Sequence, residues 1–409
     1  MSIFFKDISK HQEISWDRLL DDLNNTRTFN PYYKSDDYYE VFKNIIVSML
    51  LNKEIVLLDS DFTGNELLTL TGQSSFDNYS LPVDTKLTGL GNKNLLIEKL
   101  INTKDGWQVT IFTSGTTGIP KKVTHSFNSL TRFVKRSESQ QNCIWGFAFN
   151  PTHIAGLQVY LQALLNGNSI IRLFGLSKEE IHQEINARQI TNISATPTFY
   201  KLLFPCKEKF LSVKRVTSGG EKFNTQLAAQ LKELFPAAKI TNVYASTEAG
   251  TLFASENDVF VVKNEFAGLI KEEDGELLIH SSLMGYSMDM DTEWYHTNDL
   301  IELIEKYPLK FRFLSRKSEM INVGGYKVNP SEVEEVIHSI PGVKEVKVYA
   351  KSNSVLGNIV CCDIVSTTTL EETAIRLYLQ TKLQEYKIPR IIKFVNALET
   401  TRTGKLKRN

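Results

Sequence analysis

The sequence predicts an α/β protein with a large N-terminal region of several sheets, a β-rich lobe, and a small, hinged C-terminal α+β domain. Three observations lead there. Between residues 143 and 243 short apolar runs alternate with helical stretches. After residue 250 the pattern changes to hairpin-like strands. Near residue 318 a third unit begins, and Asn329-Pro330-Ser331-Glu332 opens its first helix. The expected division is 1–317 and 318–409.

Taken in order, Asp37 to Leu51 has helical apolar spacing, and Glu54 to Leu58 reads as a short buried strand. WQVTIF at 107–112 is a strand running into a loop rich in Gly, Ser and Thr. Strands follow at 144–149, 169–173, 191–195, 213–217 and 239–243, separated by helices at 155–166, 178–188, 197–203 and 224–235. Strands spaced by helices of this length imply βαβ units and a mainly parallel sheet. Gly268 to Ile279 reads as a hairpin around Asp274-Gly275, and Leu300 to Leu314 as two more strands. In the last unit Asn329 is the expected N-cap, with Pro330 at N1 and Glu332 at N3. Strands at 343–350 and 358–366, a helix at 370–385 and a strand at 391–395 complete it.

Composition narrows the function. The 409 residues carry 47 basic and 47 acidic side chains, so the chain lacks the basic surplus of a nucleic-acid binder. No apolar run is long enough for a signal peptide or a membrane span, which makes a cytoplasmic protein the expectation. Cys143, Cys206, Cys361 and Cys362 form no C-x-x-C pair, so no zinc site is expected and a reducing compartment fits.

The strongest local signal is Thr113-Ser114-Gly115-Thr116-Thr117-Gly118-Ile119-Pro120-Lys121. Two glycines and four hydroxyl residues stand within six positions, directly after a strand. Glycine lets backbone N–H groups approach an anion, hydroxyls add donors, and Lys121 adds charge. The loop suits a triphosphate, yet it is not the G-x-x-x-x-G-K-S/T loop of a P-loop ATPase. Five further segments follow in order. Ser218-Gly219-Gly220-Glu221 and Tyr244-Ala245-Ser246-Thr247-Glu248 each follow a strand. Trp294-Tyr295-His296-Thr297-Asn298-Asp299 and Ser315-Arg316-Lys317-Ser318 lie in the β-rich stretch. Thr401-Arg402-Thr403-Gly404-Lys405 lies within the chain's last ten residues.

This succession resembles the adenylate-forming superfamily of acyl-CoA synthetases, peptide-synthetase adenylation domains and luciferases. The resemblance spans roughly residues 107 to 409. It implies ATP bound with Mg²⁺, with Thr113, Ser114, Gly115, Thr116, Thr117, Gly118 and Lys121 around the phosphates. It implies the Gly219-Gly220-Glu221 turn against adenine and the acyl pocket, although Glu221 stands where the family usually has Ala, and Tyr244, Ala245 and Ser246 among the nucleotide-binding residues. Thr247 is implied at the α-phosphate and Glu248 at the metal. Asp299 is implied at the ribose hydroxyls and Arg316 at ribose or phosphate, with Ser318 as the pivot of the C-terminal domain. Asn298 replaces the family's glycine and tolerates left-handed backbone better than most residues. Lys405 is the implied catalytic lysine, and Gly324-Gly325 the implied loop facing the thiol acceptor.

Asn150-Pro151-Thr152-His153-Ile154-Ala155-Gly156-Leu157 resembles the P-x-x-H-x-x-G-L of ligases of the o-succinylbenzoate and coumarate type. Peptide-synthetase domains place an aspartate hereabouts for the substrate's amino group, and no acid lies between Ile144 and Gly167. An unpartnered ammonium is costly to bury, so an aryl or short to medium acyl acid is expected, with His153 as a gate beside its pocket. The expected reaction makes an acyl-AMP and then a thioester with coenzyme A. The phosphopantetheine of a separate carrier protein is the alternative acceptor, and a non-catalytic nucleotide-binding relative is the remote one. The 112 residues before Thr113 are fewer than the family usually has there, so part of the usual N-terminal subdomain is expected to be missing or reshaped.

Overall fold

The computed structural model describes residues 2–76, 80–83, 87, 89–102, 106–113, 121–221, 223, 225–286, 292–323, 326–353 and 357–399. Contacts divide the chain into two compact units, Met1–Asp258 with His280–Glu293, and Val259–Ile279 with Trp294–Asn409.

The first unit is built on an eight-stranded sheet. Its order is Gly250–Ser255, Lys239–Ser246, Arg215–Gly219, Asn192–Ala195, Ile144–Phe147, Ser169–Arg172, Ile3–Asp7 and Gln12–Ser15. The six inner strands are parallel, and the two edges pair antiparallel. The predicted alternation is thus realised, with helices Ile154–Leu164, Lys178–Arg188, Pro197–Leu202 and Thr225–Leu234 as the crossovers. Capping residues start two of them as the sequence requires. Ser177 and Glu180 form a reciprocal capping box, and Thr196 caps a helix with Pro197 in its first turn. From the central strand Ile144–Phe147 the chain crosses first to one neighbour and later to the other. That reversal is the topological switch point, where open α/β sheets bind ligands at the carboxyl ends of their strands.

A second sheet runs Tyr32–Lys34, Ile55–Leu58, Gln108–Thr113, Lys121–Ser126, and its first three strands are parallel. Helices Tyr38–Leu51 and Ile154–Leu164 join the two sheets through one apolar cluster, which takes in Phe5 and Phe147 from the first sheet and Ile55 and Val109 from the second. Phe42 and Tyr160 stack between these helices at 4.2 Å, and the Tyr160 hydroxyl donates to the Phe42 carbonyl at 2.9 Å. Such a ring pair contributes about 0.5–1.5 kcal/mol beyond its buried area. A second apolar cluster, from Ile171 and Val216 to Leu231 and Phe235, covers the other face of the large sheet. The N-terminal hairpin extends the large sheet by setting Phe5 against Ile170.

The second unit holds two sheets. One orders Val259–Val261, Lys310–Arg316, Trp294–Glu305, Glu276–His280 and Ile270–Glu273. Its predicted hairpin turns at Asp274 and Gly275, both left-handed with φ of 51° and 78°. The other sheet pairs Val343–Asn353 with Gly357–Ser366 and adds Ile321–Val323, Tyr326–Val328 and Ile391–Phe394. Helices Pro330–His338 and Glu372–Gln380 pack on it through Val333, Ile337, Ile375 and Leu379. Asn329 caps the first of these by accepting from the Ser331 backbone at 3.0 Å. The Glu332 carboxylate instead takes Lys387 at 2.7 and 2.9 Å. All four cysteines are free thiols, and burial pushes the Cys362 thiol up to about 12.

Candidate active site

In the first unit every motif marked by the sequence falls at the carboxyl end of a parallel strand. Thr113 ends Gln108–Thr113, and Asn150 to His153 follow Ile144–Phe147 at the switch point. Gly219 ends Arg215–Gly219, and Ser246 ends Lys239–Ser246, with Thr247 and Glu248 next in the chain. Small residues at these ends have a steric cause. A Cβ on Gly219 would come within 2.3 Å of a Val243 methyl and 3.0 Å of its carbonyl. Gly220 has a φ of 81°, which a side chain would strain.

The phosphate-loop residues Ser114, Gly115, Thr116, Thr117 and Gly118 lie outside the described residues, as do Gly324, Gly325 and Lys405. The strands flanking the loop are described, and the one leaving it reaches the Thr-Glu turn. His125 sits four positions beyond the exposed Lys121, is 1% exposed, and its Nε2 lies 2.7 Å from the Thr247 carbonyl oxygen. A carbonyl only accepts, so Nε2 carries the hydrogen, and Nδ1 faces the Ser129 hydroxyl at 3.2 Å. Burial holds the His125 pKa below its ordinary value against the Thr247 bond and the nearby Glu248 charge, which fits a neutral ring. The Gly285 N–H donates to the Glu248 carbonyl at 2.6 Å, and Tyr286 pairs with Thr124. Gly285 has no room for a side chain, since a Cβ would approach His125 to 2.7 Å. The side-chain Oε1 of Gln158 accepts from the Thr251 amide and hydroxyl at 3.2 and 3.0 Å, tying the His153 helix to the same turn.

Tyr244, Ala245, Ser246, Thr247 and Glu248 are half-buried. No group of three or more His, Cys, Asp or Glu side chains is placed to hold a metal among the described residues. A lone half-buried carboxylate at Glu248 fits Mg²⁺, which is commonly held by one or two carboxylates plus substrate phosphates and water. The Glu221 carboxylate is engaged by Thr198, accepting from its amide at 2.9 Å and its hydroxyl at 2.8 Å.

In the second unit Asp299 and Arg316 face each other across an antiparallel ladder. Arg316 Nε donates to Asp299 Oδ1 at 3.1 Å, and Asp299 is 3% exposed while the Arg316 side chain is half exposed. Asn298 adopts the left-handed backbone expected of it, with φ of 59°. Glu276, which the sequence did not single out, fixes this turn. Its carboxylate accepts from the Asn298 amide at 2.8 Å and meets His296 at 3.3 Å and Lys317 at 3.5 Å. Burial pushes the Glu276 pKa up, and these bonds outweigh it, leaving the pKa below the usual value. Two other residues missed by the sequence reading are His125 and Asp59. Asp59 follows Ile55–Leu58 directly and lies beside His153.

A multi-sheet α/β body with its motifs at the carboxyl ends of parallel strands, in a chain that also carries a β-lobe and a small α+β domain, is the architecture of an adenylate-forming enzyme. The model of the AMP-binding enzyme family matches residues 50–274, and that of the AMP-binding enzyme C-terminal domain matches 332–405. The chain belongs to the AMP-binding enzyme family. It is similar to 2-succinylbenzoate–CoA ligase of Listeria monocytogenes, 28% identical over 335 residues, covering 73% of this chain and 68% of that protein. The Staphylococcus aureus protein of the same name is 26% identical over 390 residues, covering 87% and 77%. The fold matches o-succinylbenzoate CoA synthetase from Bacillus subtilis, solved with its acyl-adenylate intermediate, with a TM-score of 0.71, 19% identity and coverage of 99% and 94%. It also matches ATP-bound MatB from Rhodopseudomonas palustris, with a TM-score of 0.75, 16% identity and coverage of 99% and 94%. No helix among the described residues is long and apolar enough to cross a membrane.

Proposed function

We propose that the chain activates a small aryl or acyl acid with ATP and transfers the acyl group to coenzyme A. In the first step a carboxylate oxygen of the acid attacks the α-phosphorus, and pyrophosphate leaves. In the second a thiolate attacks the acyl carbonyl, and AMP leaves. The observation that carries the reading is the His125–Thr247 bond. It joins the strand leaving the phosphate loop to the Thr-Glu turn, 122 positions away in the sequence.

Residue roles follow the family resemblance. Ser114 to Gly118, with Thr113 and Lys121, grip the β- and γ-phosphates. Thr247 donates to the α-phosphate, and Gly219 and Gly220 bring bare backbone against adenine. Asp299 accepts from the ribose hydroxyls, with Arg316 holding its carboxylate in place. Glu248 holds Mg²⁺, which supplies charge neutralisation to the phosphate oxygens; a B. subtilis relative is solved with ATP and magnesium. Lys405 adds positive charge as the pentavalent phosphorus forms. The segment at Ser318 lets the C-terminal domain, residues 318–409, exchange Lys405 for the Gly324-Gly325 loop between the two steps. The free thiols support a reducing, cytoplasmic setting.

The named relatives point to 2-succinylbenzoate as the first acid to try. Incubation with ATP, Mg²⁺, an acid panel and either coenzyme A or a pantetheinylated carrier, read by mass spectrometry, tests the proposal. An acid-specific acyl-CoA supports it. Acylation of the carrier alone would replace the acceptor and keep the chemistry. Acylation of neither thiol would refute the second step.

A further inference from the structure

Asp59 and His153 come from different sheets and meet where both present their carboxyl ends. Asp59 follows Ile55–Leu58, and His153 is the N-cap of Ile154–Leu164 at the switch point. Asp59 is 7% exposed. Its Oδ1 accepts from Asn150 Nδ2 at 2.7 Å and lies 2.5 Å from the Thr152 hydroxyl. The Thr152 amide donates to Asn150 Oδ1 at 3.0 Å, so the loop that grips the carboxylate is itself braced. Oδ2 faces His153 Nε2 at 3.3 Å, its one hydrogen-bonding neighbour among the described residues.

Anchoring the 150–152 loop uses only one oxygen, which a neutral amide would supply at a lower desolvation cost. The second oxygen accounts for a full carboxylate here. We infer that Asp59 is a positioning residue that fixes the imidazole of His153 and keeps the hydrogen on Nε2. Burial pushes the Asp59 pKa up, but the bonds from His153, Thr152 and Asn150 outweigh it, so the group stays ionised. An ionised carboxylate only accepts, which makes Nε2 the donor and leaves Nδ1 as the other ring nitrogen. His153 makes no side-chain cap to its own helix, so the Asp59 contact is what sets its orientation.

This inference rests on the ligase reading, in which His153 borders the acid pocket. Loosening the ring then impairs use of the acid and leaves ATP binding alone. The test is steady-state kinetics of D59N, H153A and the double variant, each with a melting curve. Expected for D59N is a rise in KM for the acid of about tenfold with KM for ATP unchanged, as befits loss of one charged hydrogen bond. On an H153A background D59N should add nothing further. A D59N effect that multiplies in full on H153A, or an altered melting temperature with unchanged acid KM, overturns the inference. If D59N does not fold, T152V removes one brace of Asp59 and should raise the acid KM several-fold in the same pattern; an unchanged acid KM there also overturns it. A wild-type chain without acid-dependent activity would instead sink the ligase reading, before any variant is compared.

Discussion

Gly156→Ala puts one methyl group where the structure has no room for it. The Cβ would stand 2.2 Å from the Asn150 carbonyl oxygen and 3.3 Å from the Phe147 ring. An ordinary carbon–oxygen contact needs roughly 3.4 Å, so the helix start and the 150–152 loop must separate by about 1 Å. The oxygen is backbone and cannot rotate away. Two losses follow. Overpacking costs about 1–3 kcal/mol of stability. The Asn150–Asp59 bond, 2.7 Å long, opens beyond bonding range, and His153 at the same helix start moves with it. Misplacing a substrate-side residue by about 1 Å costs on the order of 100-fold in rate. The assay pairs thermal unfolding with acid-dependent thioester formation. Gly64→Ala is the control, because its Cβ meets nothing closer than 3.5 Å. G64A should hold or gain about 0.4–1 kcal/mol and retain full activity. A G156A protein that melts and turns over like wild type would show that the loop and helix start yield without cost.

Three further outcomes are expected. Asp299→Asn keeps the shape of the ribose acceptor and removes its charge, so KM for ATP should rise by one to two orders of magnitude, at about 1.5–3 kcal/mol per charged hydrogen bond lost; ATP titration of the exchange reaction reads it. Lys405→Ala should cripple acyl-AMP formation yet largely spare thioester formation from supplied acyl-AMP, measured by single-turnover assays of each half-reaction. His125 has a folded pKa below its unfolded value of 6.5, so below that pH the unfolded chain binds the extra proton. Its contribution is complete above pH 6.5 and is lost as pH falls toward the folded pKa. The resistance of wild type to urea should therefore fall from pH 7 to 5, and that of His125→Gln should fall less across that range.

The parts of the fold written in local signals were legible. Asn329 with Pro330, and Asp274-Gly275, set a helix start and a turn within a few residues of themselves, and the structure has each. Asn298 likewise declares a left-handed turn by its own chemistry. The N-terminal hairpin was not legible, because Phe5 finds its neighbour at Ile170, and nothing near Phe5 encodes that pairing. The candidate site divides the same way. Thr247, Glu248, Asp299 and His153 stand in motifs readable along the chain. Asp59, His125 and Glu276 act through partners at His153, Thr247 and Asn298, and at 22 to 122 positions apart no spacing rule reaches them.

Every assigned role depends on this chain forming an acyl-adenylate. Exchange of labelled pyrophosphate into ATP measures that step alone, without any thiol. Exchange should require Mg²⁺ and one class of aryl or acyl acid, and should fall by orders of magnitude in Lys405→Ala. No exchange across a broad acid panel, or release of orthophosphate in place of pyrophosphate, would contradict it.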